Sequence, residues 1–232
     1  FVTDDTTIDV DTYDLDGQFG STSLTVNAGN TLSINSANID TTAANDFDGI
    51  LNVNGGTLHM QNDWRLDSVL NLTQDNSVAA LVGPGRITVA STGTVNVSGA
   101  GRIDSDLTLV GELFVASIAD LNGNTIIDSA ATLETNNPDD IIDLGGTTVI
   151  GGGTYLGGGI LRFSGDIQVI GNTAMGMGQA DLDGIDPSGS ISVATGVNFA
   201  VNSNTIDPAD DTFSDTMNLR GSFSTIVPLA VD

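Results

Sequence analysis

The sequence predicts an all-β fold, a parallel β-helix (β-solenoid) of roughly 20-residue rungs with atypical terminal strands. Three observations carry that expectation. The first is a short apolar pair that returns on one beat: Leu51/Val53, Leu70/Leu72, Ile87/Val89, Leu107/Leu109, Ile126/Ile127, Thr147/Val149, Ile167/Val169 and Ile191/Val193. Measured on the second member, the steps are 19, 17, 20, 18, 22, 20 and 24 residues, inside the window of stacked repeats. The second is composition: Lys is absent, and only Glu112 and Glu134 interrupt a run of Asp among 30 acidic residues. The residues that fill exposed helix faces are therefore scarce, while turn and strand formers (Asp, Asn, Thr, Ser, Gly) abound. The third is alternation, apolar then polar, within segments of three to five residues, as a half-buried strand requires.

The elements follow in chain order. Residues 1–20, where Ile8, Val10, Tyr13 and Leu15 stand among Asp and Thr, read as an entry strand or N-terminal cap. The coil then spans residues 21–205. Strand side chains point to opposite faces with period two. In Leu24-Thr25-Val26, Leu32-Ser33-Ile34, Leu51-Asn52-Val53 and Val95-Asn96-Val97 the aliphatic residues line the interior, and Thr25, Ser33, Asn52, Asn71, Thr88, Asn96 and Thr108 face solvent. A second pair follows after seven or eight residues, across turns such as Ala28-Gly29-Asn30, Asn54-Gly55-Gly56 and Ser91-Thr92-Gly93, so each rung carries two or three strands. Asn54-Gly55 and Asn122-Gly123 also suit hairpins of an antiparallel sandwich, but a sandwich does not hold its apolar pairs on one beat for eight successive steps. The longest stretch off the beat, Gly171 to Ser190 with Met175 and Met177, is expected as a lateral loop. Residues 206–232 read as a C-terminal cap or connecting strand, with an apolar run from Phe223 to Val231 broken by Pro228.

Charge narrows the function classes. A formal net charge of −25, with only five Arg as cations, argues against nucleic acid and anionic membrane as partners. No cysteine is present, so no disulfide framework exists. No stretch reaches the roughly 20 apolar residues of a membrane helix, so no membrane insertion is expected. The opening Phe1-Val2-Thr3-Asp4-Asp5 has neither a starting Met nor a signal-peptide pattern, and reads as a processed product or a portion of a longer chain. The expected location is extracellular or at the cell surface.

Candidate chemistry lies first in the carboxylates. Asp9, Asp11, Asp14, Asp16, Asp181, Asp183 and Asp186 sit in turns where oxygen ligands for Ca²⁺ collect, making calcium the one cofactor worth naming. The EF-hand pattern fails at both clusters: it would need Asp and Glu where Thr12 and Ser23, or Gln179 and Ser190, stand. Solubilising turn caps are the competing role for these Asp residues. Asp104 and Asp106 form the neatest local pair for glycoside hydrolysis, but with 28 Asp such pairs arise by chance, and the chain is expected not to be an enzyme. His59 is the sole histidine and supports neither a triad nor a metal site, and Trp64 is expected in packing rather than in a sugar platform. Asn71-Leu72-Thr73 and Asn96-Val97-Ser98 match the glycosylation sequon. Phe223, Ile226, Val227, Leu229 and Val231 form an apolar terminal strand suited to pairing with a next subunit.

Units such as Gly49-Ile50-Leu51-Asn52-Val53-Asn54-Gly55-Gly56-Thr57-Leu58 and Ser91-Thr92-Gly93-Thr94-Val95-Asn96-Val97-Ser98-Gly99 resemble those of right-handed parallel β-helix proteins of bacterial surfaces, of the autotransporter-passenger or large-adhesin type. The resemblance covers residues 21–205. It implies an extracellular scaffold or adhesin, and the same coil also carries polysaccharide lyases and hydrolases. The expected function is a structural or adhesive protein, a self-assembling subunit of a surface layer, filament or matrix, with itself and extracellular glycans as partners. The alternative is a polysaccharide-active enzyme or glycan-binding module on the same coil.

Overall fold

A computed structural model describes residues 1–9, 23–35, 46–47, 49–182, 189–206, 212–213 and 216–231. These contain no helix and form a parallel β-solenoid of about eight turns. Each full turn lays down three strands, so the coil has three faces. One turn runs Ile50–Asn54, Thr57–Met60 and Trp64–Leu66, and the next Val69–Thr73, Ala79–Val82 and Ile87–Val89. The first two faces share a 15-stranded sheet because two ten-residue strands, Thr94–Ile103 and Glu112–Leu121, bend round the corner between them without losing their pairing. The third face is a separate nine-stranded sheet. A three-stranded sheet of Thr173–Met175, Asn198–Val201 and Ser222–Thr225 continues the first face.

The register shows why this sequence coils. Along the third face Trp64, Ile87, Leu107, Thr125, Thr148, Ile167 and Ile191 stack one above another, in steps of 23, 20, 18, 23, 19 and 24 residues. The second face stacks Leu58, Leu81, Ile103, Leu121, Leu144 and Phe163. The first stacks Leu51, Leu70, Val95, Leu113, Leu133 and Tyr155. All nineteen of these side chains are buried. Most strands contribute two inward residues to a core one turn thick, and each turn covers the apolar surface of the last.

Two details of the sequence beat are corrected. Leu51/Val53 and Leu70/Leu72 lie on the first face while Ile87/Val89 and later pairs lie on the third, so the 17-residue step crosses faces rather than measuring a turn. On the third face the inward pairs are Thr125/Ile127 and Thr148/Ile150, whereas Ile126 and Val149 point outward. Buried threonines hid the frame from a reading based on aliphatic residues. Thr25 is buried rather than solvent-facing, at 7% exposure. The stretch after Gly171 also enters the coil: Thr173–Met175 and Gln179–Asp181 are regular strands, and Met175 and Met177 are core residues at 0% and 1% exposure. Its remainder, 183–188, lies outside the described residues.

Corners are tight because backbones of successive turns touch there. A Cβ on Gly178 would run into the carbonyl oxygen of Gly158, one turn back. Gly83, with φ at +121°, meets the Met60 carbonyl in the same way, and only glycine combines that φ with that closeness.

Candidate functional site

The period-two rule sends every second residue of the second face outward, and in-register stacking lines those residues up into rows. One row reads Arg102, Asp120, Asp143, Arg162, Asp181, each paired in register with the next. Neighbours in such a row are about 4.8 Å apart at the backbone, so charge order along the row decides its energy. Arg162 bridges two carboxylates, its Nε donating to Asp181 Oδ2 at 2.8 Å and its Nη1 lying 3.6 Å from Asp143 Oδ2. Ser164 Oγ donates to Asp143 Oδ1 at 2.8 Å. Arg102 turns aside to Asp104, Nε to Oδ2 at 3.1 Å. Asp120 is left beside Asp143 with neither a hydrogen bond nor a close ion pair among the described residues. Burial and the neighbouring Asp143 hold its carboxyl above the usual value, partly offset by Arg102 and Arg162, with Asp104 adding to the rise. Beside this charged row runs an apolar one, Ile118, Ile141 and Ile160.

A second polar ladder climbs the corner before the third face. Asp63 accepts the Arg86 backbone N–H at 2.8 Å, and Arg86 Nη2 lies 3.6 Å from Asp106 Oδ2. Asn124 donates its backbone N–H and Nδ2 to Asp106 Oδ1 at 2.9 and 3.2 Å. Ser190 Oγ donates to Asp166 at 2.9 Å further along. On the first face Asn71 Nδ2 donates to Asn52 Oδ1 at 2.8 Å and Asn96 Nδ2 to Asn71 Oδ1 at 3.0 Å, so both sequon asparagines belong to an amide ladder.

The structure places the candidates from sequence as follows. Asp104 and Asp106 flank the buried Ser105 and serve separate ladders, Asp104 bonding Arg102 and Asn122 while Asp106 bonds Arg86 and Asn124. Asp9 is exposed just past the strand Thr6–Ile8. Asp181 is buried and held by Arg162, while Asp11, Asp14, Asp16, Asp183 and Asp186 lie outside the described residues. Among the described residues no three His, Cys, Asp or Glu gather in a geometry fit for a metal ion. Trp64 is a core residue at 3% exposure, and His59 sits half-buried on the outer row between Ser33 and Val82.

The terminal turns carry the other feature. Phe223 is half-buried, its ring 5.5 Å from that of Phe199 and tilted by 49°. Val227 and Leu229 pack half-covered on the core, Ile226 is 60% exposed, and Val231 pairs through its backbone with Phe213. At the opposite end Val2, Ile8 and Leu24 are likewise half-covered core residues, lining a groove of about 300 Å³ beside an exposed Phe1. Val2 and Met217 were not singled out from sequence, although their inward period-two positions in the outermost turns were the signal available. Comparison with protein-family models, curated proteins and solved structures finds no match to this chain.

Proposed function

We propose that this chain is a structural or adhesive extracellular β-solenoid that assembles end to end with further copies of itself, as a subunit of a surface layer, filament or matrix. The observation that supports it is the state of the outermost turns. Val2, Ile8 and Leu24 at one end, and Met217, Phe223, Val227 and Leu229 at the other, hold core positions yet remain half-covered. A coil stacked on either end would bury that apolar surface, at about 25 cal/mol per Å². It would also extend the parallel ladders of Thr6–Ile8 and Ser222–Thr225. Such a contact joins unlike surfaces, and unlike contacts build open fibres when the rotation between copies does not close. The high acidity fits a secreted surface, and the resemblance in unit sequence to bacterial surface β-helix proteins supports the same setting.

The test is light scattering with negative-stain microscopy across a concentration series, in Ca²⁺ and in chelator. Fibres or sheets are expected, and the variant lacking residues 223–232 should stay dispersed while its far-UV circular dichroism keeps the β signal. Fibres lost in chelator would assign the turn Asp clusters a bridging role for calcium. A chain that stays monomeric at every concentration, or polymerises unchanged without residues 223–232, refutes the proposal.

A further inference from the structure

The five arginines divide four to one. Arg65 holds Asp67 at 2.7 Å, Arg86 lies 3.6 Å from Asp106, Arg102 3.1 Å from Asp104, and Arg162 bridges Asp143 and Asp181. Arg220 is exposed and meets no carboxylate among the described residues, in a chain that carries 28 Asp. It lines a groove of about 390 Å³ on the third face and its following corner. The groove's outer row is Gln168, Ser192 and Asn218, stacked in register on successive turns. Ile170, 58% exposed, and Ala194 supply apolar surface at the corner. Among the described residues no acidic side chain lines the groove.

We infer that this groove binds an acidic saccharide, its carboxylate on the Arg220 guanidinium and its hydroxyls on the Gln168–Ser192–Asn218 row. A planar guanidinium matches a carboxylate with two parallel hydrogen bonds. Amide and hydroxyl side chains both donate and accept, as sugar hydroxyls do, so a row of them one strand spacing apart offers paired bonds along a chain of rings. Ile170 gives the apolar face of a ring something to lie on. Over Ile167–Val169 and Ser190–Val193 the floor's backbone is engaged in ladder pairing on both sides, and Thr216–Leu219, last in the nine-stranded sheet, is the one strand of the floor with an open edge a peptide could add to, which the poly-aspartate arm of the test reads. The net charge of −25 opposes any anion at long range, but that field is screened beyond about 8 Å at physiological salt, and Arg220 is the one charged side chain among the described residues that line the groove.

The test is titration calorimetry of the full chain, and of the chain lacking residues 223–232, with oligogalacturonate, its carboxyl-reduced counterpart and poly-aspartate. Oligogalacturonate should bind both chains and the reduced form at least tenfold more weakly. Arg220→Gln should lower affinity for oligogalacturonate tenfold or more, and Asn218→Ala several-fold, with unchanged circular dichroism. Arg65→Gln should leave it unaltered. Absence of binding, equal affinity for the reduced form, indifference to Arg220→Gln, or poly-aspartate binding as tightly would each overturn the assignment. None of these outcomes depends on whether the chain polymerises.

Discussion

Replacing Thr148 by Val should make the coil more stable, although it removes a polar group from a protein rich in polar ladders. Thr148 is 1% exposed, on the inward row of the third face between Thr125 and Ile167, and its Oγ1 finds no hydrogen-bond partner among the described residues. Thr125, 2% exposed and one turn away, is in the same position. A buried hydroxyl without a partner costs about 1–3 kcal/mol. Valine fills nearly the same volume with a methyl group, so no cavity or overpacking penalty is added. The expected gain is about 1–2 kcal/mol for each site, or roughly 2–4 °C in Tm per kcal/mol for a chain of this length. The Thr125→Val, Thr148→Val double variant should depart from additivity, because the two side chains are register partners in adjacent turns. Urea unfolding followed by far-UV circular dichroism measures the midpoints, with Thr108→Val on the outer row as the control expected within about 0.5 kcal/mol of the parent. A loss of stability at Thr148→Val would mean that the hydroxyl is hydrogen-bonded inside the coil and that the inward polar row is a fastening rather than a defect.

Two further outcomes follow from the second face. Arg162→Ala should destabilise the coil by about 3 kcal/mol, because Asp181, 8% exposed at its side chain, and Asp143 would keep their charges without their counterion; unfolding midpoints at neutral pH would show it, and a shift within error would mean the row is solvated like any surface pair. Asp120→Asn should raise stability at neutral pH. The folded carboxyl has its pKa above the ordinary 3.8, so the folded state holds the proton more tightly than the unfolded one and stability falls as pH rises through that window. The penalty is present above the folded pKa and absent below the ordinary value. The advantage of the Asn variant should therefore vanish on acidification, and an advantage independent of pH would refute the electrostatic origin.

The coil was legible because its cause is local. Period-two alternation at Leu51-Asn52-Val53 or Val95-Asn96-Val97 states which side chain goes in, and the turn residues state where the chain bends. The exact frame was less legible where threonine takes an inward position, since Thr125 and Thr148 look like surface residues in a list. The charged row was invisible for a different reason. Arg102, Asp120, Asp143, Arg162 and Asp181 are spaced by 18, 23, 19 and 19 residues, and only the corner lengths, which no local rule gives, bring them into one line. The groove at Arg220 is hidden likewise, because Gln168, Ser192 and Asn218 lie 24 and 26 residues apart and meet through register alone.

The parallel ladders described for the three faces also fix how this molecule answers a pull. Strands inside the coil pair with the strands one turn above and below, so the backbone hydrogen bonds point along the coil's long axis. A pull on a chain end along that axis would peel the outermost turn first, since that turn is held by neighbours on one side only. A released turn such as Ile87 to Asp106, 20 residues, would lengthen from a rise of about 4.8 Å to roughly 70 Å of extended chain. Peeling one turn at a time would thus let out slack in many small, reversible steps, and a thread built from such coils would yield to a tug without letting go.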